Sequence, residues 1–213
     1  TAAIIRHGDN PDPLVLIRDT RGGPTDGYSQ IIIYMKDRVA LFAATTAVLE
    51  QLNLNIVDAR INSTEGPYSI SSYVVLDDKG QPLGIDPARK ERVRKRLIEE
   101  LDDPEDYPDI IHRRTPRQLK HFAFPTEVTF SNDTINQRTV MELITPDRPG
   151  LLARIGQVLL EHRVRLTNAK IATLGERVED VFFITDEQGE PLRDPGVCQA
   201  LQQDLCKMLD EIQ

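Results

Sequence analysis

The sequence predicts an α+β protein of two tandem ferredoxin-like (βαββαβ) repeats with antiparallel sheets, and three observations predict it. First, one pattern occurs twice, as Asp37-Arg38-Val39-Ala40-Leu41-Phe42-Ala43 and as Asp147-Arg148-Pro149-Gly150-Leu151-Leu152-Ala153. Second, each copy runs through a helix-like stretch into a matching extended run, Asn55 to Ile61 or Arg165 to Ile171, at a constant offset of 110 residues. Third, each continues to Gly80-Gln81-Pro82-Leu83 or Gly189-Glu190-Pro191-Leu192, at an offset of 109. A repeat kept in register over that length is a duplicated domain.

The elements follow in order. Residues 1–27 form a lead segment with one strand, Leu14-Val15-Leu16-Ile17, before a Gly/Pro/Asp-rich stretch from Gly22 to Gly27. Repeat one, 28–131, opens with Gln30-Ile31-Ile32-Ile33-Tyr34-Met35, a near-continuous apolar run suited to a central strand. Leu41, Phe42, Thr45, Val48, Leu49 and Leu52 then recur at helical spacing, matched by Leu151, Leu152, Ile155, Val158, Leu159 and His162. One face of each helix should pack on a sheet.

Extended runs at 54–63 and 68–77 follow, turning at Glu65-Gly66-Pro67; their counterparts are 165–174 and 177–185, turning at Gly175-Glu176. Pro87 suits the first turn of a second helix, with Val93, Leu97, Ile98 and Leu101 as its inner stripe. A polar, proline-rich insertion, 102–125, is expected to be irregular. Glu127-Val128-Thr129-Phe130 should close repeat one as its fourth strand. Asn132-Asp133 turns into the strand Thr139–Thr145, which opens repeat two, 138–213. That repeat ends after its second helix (Val197, Leu201, Leu205, Met208, Leu209, Ile212) without a fourth strand. Leu14–Ile17 is expected to fill the vacant edge.

Composition narrows the function. Lys+Arg 26 against Asp+Glu 34 gives a net charge of −8, which argues for solubility and against a nucleic-acid-binding surface. No apolar run approaches the roughly 20 residues of a membrane span, and no secretory signal opens the chain. Thr1 as first residue points to a fragment or processed product. Cys198 and Cys206 have the wrong spacing for zinc or a redox pair; they read as buried thiols in a reducing cytoplasm.

The motif at Asp147 carries the chemistry. Pro149 suits a helix's first turn, and Gly150, lacking Cβ, lets a ligand approach the backbone. N–H groups at a helix N-terminus, with the positive end of its dipole, suit a carboxylate. This is chemistry for binding, not bond-making.

With the element order, these residues resemble the ACT domain, a small-molecule sensing module. The resemblance is strongest at Asp147-Arg148-Pro149-Gly150-Leu151-Leu152. Repeat one departs from it, with Val39-Ala40 in place of Pro149-Gly150, yet keeps Asn55-Ile56 where ACT domains often place a ligand-contacting asparagine; repeat two has Arg165-Leu166 there. Paired ACT domains can build a site from the loop of one copy and the asparagine of the other. The resemblance therefore implies one amino-acid site made of Asp147, Arg148, Pro149, Gly150, Leu151, Leu152 and Asn55. A second, weaker site would join Asp37, Arg38, Val39, Ala40, Leu41 and Phe42 with Arg165.

Further segments narrow the match: Arg117 to Phe122, Thr139 to Leu143, Ala169 to Asp180 and the opening Thr1 to Ile4. They are similar to the C-terminal tandem ACT region of bifunctional uridylyltransferase/uridylyl-removing enzymes that act on the PII nitrogen signal protein. That resemblance implies glutamine, or another small amino acid, as ligand and PII as a partner reached through the parent enzyme. It implies magnesium for the parent's catalytic units and no cofactor here. Pairing of the two repeats within the chain is implied, and a homodimer is a further assembly it permits. No His is followed by Asp, and no Asp-x-Asp pair is present to hold a nucleotidyltransferase metal. The chain reads as a regulatory part without catalytic machinery.

Other readings are weaker. Arg6-His7-Gly8 resembles a phosphohistidine motif but lacks room for the α/β domain such chemistry needs. His112, His121 and His162 are too scattered for a metal. The basic run Arg89, Lys90, Arg92, Arg94, Lys95, Arg96 reads as a solvated helix face. RNA-recognition folds share the element order but need aromatics on a basic sheet face; the adjacent Phe182 and Phe183 must point to opposite faces. The alternative to a sensor is a ligand-free dimerisation or docking module with a closed pocket.

Overall fold

A computed structural model of the chain describes residues 2–8, 10, 12–20, 27–37, 41–63, 67–84, 86–102, 124–148, 150–171, 173–174 and 177–211. The first half contains α1 (Ala2–His7), β1 (Leu14–Thr20), β2 (Tyr28–Lys36), α2 (Leu41–Gln51), β3 (Leu54–Ser63), β4 (Tyr68–Asp77) and α3 (Pro87–Asp102). The second contains β5 (Glu127–Asp133), β6 (Arg138–Pro146), α4 (Leu151–Glu161), β7 (Arg165–Lys170), β8 (Thr173–Leu174), β9 (Arg177–Thr185) and α5 (Pro195–Asp210). Two antiparallel sheets result, ordered β1-β2-β4-β3 and β5-β6-β9-β7, with β8 paired to β9.

Each sheet has the strand order of a βαββαβ unit, but its closing strand comes from ahead of the unit. Leu14 pairs with Tyr34 and Ile17 with Ile31, so Leu14–Ile17 does not fill the edge of repeat two, and the lead segment supplies a strand of the first sheet. Glu127–Phe130 does not close repeat one: Val128 pairs with Leu143 of β6. The reason is loop closure. β1 joins β2, and β5 joins β6, across short connections, whereas the expected pairings need the chain to return over far longer stretches. The insertion expected at 102–125 begins where α3 ends at Asp102; residues 103–123 lie outside the described residues, as does Ile212.

The duplication persists in backbone detail. Asn53 and Arg163, at equivalent helix exits, both take positive φ, 58° and 55°. β3 and β7 carry equivalent bulges, between Ile56 and Asp58 and between Leu166 and Asn168. After β4, the Asp77 N–H donates to the Gln81 carbonyl, and Asp77 Oδ1 accepts from the N–H groups of Lys79 and Gln81. After β9, Asp186 repeats this with Gln188 and Glu190. Both turns pass through a left-handed glycine, Gly80 at φ 70° and Gly189 at φ 85°, a region glycine enters without steric penalty.

Asp77 also meets Arg89 at 3.1 Å. Burial pushes its carboxyl up, but the Gln81 and Lys79 N–H groups and the Arg89 guanidinium together hold it below the ordinary range. A carboxyl with a lower pKa folded than unfolded adds stability above the unfolded value, near about 4. That stability is lost as pH falls through the folded value. Asp77→Asn should therefore cost about 1 kcal/mol at neutral pH and progressively less in acid. Urea unfolding of both chains at neutral and acidic pH checks the trend.

The two repeats share one core. The edge strands β3 and β7 lie against each other and α2 packs on α4, with the Phe42 and Phe182 rings edge to face at 6.4 Å. Every residue of α2 from Leu41 to Leu49 is buried, because its sheet covers one side and α4 the other. The crossing is tight: a Cβ on Gly156 would lie 2.8 Å from the Cα of Ala43.

Phe182 is fully buried, while Phe183 lies under the Arg138 guanidinium at 4.0 Å on the opposite face. The basic run on α3 is largely internally paired, Arg89 with Asp77, Lys90 with Asp19, Arg94 with Glu91, Lys95 with Glu99 and Arg96 with Glu100. Such a face is a solvated one. Burial, helped by Asp194 and Asp210 respectively, pushes the half-buried Cys198 and Cys206 thiols up, which keeps them protonated and unreactive. Among the described residues no helix is long and apolar enough to cross a membrane.

Candidate functional site

The loop that leaves β6 enters α4 through Gly150, the N-cap residue, at φ 75° and ψ 9° with no side-chain cap. Glycine enters this left-handed geometry without steric cost, and it adds no side chain of its own at the helix entrance. Opposite stands Asn55 at the start of β3. Between them lies a cavity of about 400 Å³, lined by Asp147, Arg148, Gly150, Leu151 and Leu152 of repeat two and by Asn55 of repeat one. Six of the seven residues of the expected principal site thus border one space between the repeats. The seventh, Pro149, lies outside the described residues.

Their chemistry differs residue by residue. Burial pushes the Asp147 carboxyl up, partly offset by the Arg148 N–H; a cation placed beside it would restore its charged form. Arg148 turns its Nη1 to donate to the Leu209 carbonyl at 2.7 Å, a cation on the last turn of α5, where the dipole favours it. It borders the cavity while tying α5 to the loop. The Asn55 amide makes one long bond, Nδ2 to the Asp77 carbonyl at 3.5 Å. Leu151 is buried and Leu152 partly so, giving the cavity an apolar wall.

Two further carboxylates border the cavity, Glu50 of α2 and Asp180 of β9. Asp180 is 1% exposed. Sequence reasoning missed both, although Asp180 carried a signal: it alternates with Val178, Phe182 and Ile184 on the inward face of β9, where a charge is costly without a purpose.

The expected second site is arranged differently. Asp37 and Arg165, the equivalents of Asp147 and Asn55, form an ion pair, Nη2 to Oδ2 at 2.7 Å. Leu41 and Phe42 are buried in the shared core. Arg38, Val39 and Ala40 lie outside the described residues.

Residues 139–193 match the family model of the ACT domain. The whole chain is similar to bifunctional uridylyltransferase/uridylyl-removing enzymes. It is 52% identical over 211 residues to that of Stutzerimonas stutzeri strain A1501, covering 99% of this chain and 23% of the relative. The enzyme of Ectopseudomonas mendocina strain ymp is 52% identical over 211 residues, covering 99% and 24%. That of Azotobacter vinelandii strain DJ is 50% identical over 209 residues, covering 98% and 23%. The chain spans about a quarter of the length of these relatives.

Proposed function

We propose that this chain, similar over nearly its whole length to a segment of the bifunctional uridylyltransferase/uridylyl-removing enzymes and matching the ACT domain in its second half, is the amino-acid-sensing regulatory part of such an enzyme. The signal is glutamine, and the regulated activity is the addition of uridylyl groups to the PII protein and their removal. Magnesium belongs to the catalytic units of that enzyme, and the compartment is the cytoplasm.

The observation that carries the reading is the shared cavity. Its volume of about 400 Å³ falls within the roughly 300–1,000 Å³ typical of small-molecule pockets. An amino acid presents an ammonium, a carboxylate and a side chain, and the cavity offers a partner for each. Asp147 takes the ammonium, relieving the desolvation of its own carboxylate. The first turn of α4 takes the carboxylate. The Asn55 amide, donor and acceptor at once, suits a side-chain amide, and Leu151 and Leu152 cover the methylenes.

Regulation follows from the location. The walls come from two repeats, so the ligand's affinity depends on how they sit together. A ligand that prefers one arrangement stabilises it by its differential affinity, typically about 1–3 kcal/mol in allosteric proteins. The test is thermal unfolding of the chain against the common amino acids. Glutamine alone should raise the midpoint by several degrees at a hundred times its dissociation constant. No shift with any amino acid would reject the sensor reading in favour of a docking module.

A further inference from the structure

The duplication makes the two loops comparable, and they differ in how their aspartates are satisfied. Asp147 and Asn55 both line the cavity between the repeats. Asp37 faces Arg165, the residue at Asn55's equivalent position, and receives its guanidinium at 2.7 Å. A side chain of that length and fork-like donor set reaches a carboxylate from the neighbouring strand edge. The side chains of Arg165 and Asp37 are 37% and 19% exposed. A partly exposed pair of this kind adds little to stability, so holding the repeats together does not account for it.

We propose that Arg165 is a built-in occupant of the second site: its guanidinium stands on Asp37 as the ammonium of a bound amino acid stands on Asp147. Arg165 is then a specificity-determining residue, and the chain takes one amino acid where its duplication would provide for two. One loop reads the solute; the other is permanently satisfied from β7. The inference rests on the reading of the first cavity as an amino-acid site and adds the reason for its single occupancy.

Arg165→Asn restores at the second position the side chain present at the first. Calorimetric titration with L-glutamine should give one equivalent for the wild-type chain and two for Arg165→Asn. The double variant Asp37→Asn/Arg165→Asn should return to one. One equivalent for a folded Arg165→Asn chain would overturn the proposal. If the wild-type chain takes up none, the sensor reading has failed, and methylguanidinium decides the remaining question. It should raise the unfolding temperature of Arg165→Ala above that in equimolar potassium chloride, but not that of Asp37→Asn/Arg165→Ala. Equal responses of these two variants would overturn the built-in occupant.

Discussion

Gly150→Asp is expected to abolish the response to glutamine while leaving a cooperatively folding chain. Two effects combine. Gly150 has φ 75°, and an L-residue held there costs roughly 1–2 kcal/mol. The new carboxylate would also stand at the mouth of the α4 helix, where the ligand's own carboxylate is placed. The wild-type chain with glutamine at a hundred times its dissociation constant gains about 2.7 kcal/mol, a rise of about 5–10 °C for a chain of this size. Gly150→Asp should melt a few degrees lower without ligand and show no rise with it. Asn55→Ala, at an exposed position, should lose most of the rise with little change in the ligand-free midpoint. Differential scanning fluorimetry of the three chains reads all of this. A full rise in Gly150→Asp would put the ligand elsewhere.

The second large effect lies at the helix crossing. Gly156→Leu should destabilise the chain by about 3 kcal/mol, at the upper end for overpacking a core, and weaken glutamine binding with it. The space is already closed at the first carbon, since a Cβ there would sit 2.8 Å from the Ala43 Cα and 3.1 Å from its backbone nitrogen. Backbone atoms cannot step aside as a flexible side chain can, so the helices must separate. Loss of glycine from a helix interior returns only about 1 kcal/mol, which the clash exceeds. Because α2 carries Glu50 and α4 carries Leu151 and Leu152, all on the cavity wall, separating the helices also opens the site. Urea unfolding measures the first effect and calorimetry the second. A Gly156→Leu chain as stable as wild type would mean that α2 and α4 do not pack this way in solution.

Much of this was legible because a duplicated sequence states each element twice. The strand runs at 54–63, 68–77 and 177–185 match β3, β4 and β9, since short β-branched and aromatic runs bounded by turn residues read as strands, although β4 turns Ser69, Ser71 and Asp77 inward beside Tyr73 and Val75. The placement of Asn55 across from Asp147 was legible only through the resemblance to paired ACT domains; no spacing in the chain reveals that β3 of one repeat faces the loop of the other.

What was not legible has physical causes. Apolar alternation tells which face of a strand is buried but not which strand lies beside it, so β1 and β5 were given the wrong partners. The connection lengths held the answer. Outside its expected apolar stripe α2 also buries Ala43, Ala44, Thr46 and Ala47, small residues that a hydrophobic pattern cannot tell from a neutral surface. Val197 was placed on the inner stripe of α5 but is exposed at 36%, because it sits in the first turn. The Asp37–Arg165 pair joins residues that only the packing of the repeats brings together.

The most direct test is a calorimetric titration of L-glutamine into the wild-type chain, with Asn55→Ala beside it. The account predicts one equivalent per chain, lost or greatly weakened in Asn55→Ala. Two equal and independent sites, or a single site indifferent to Asn55, would contradict it.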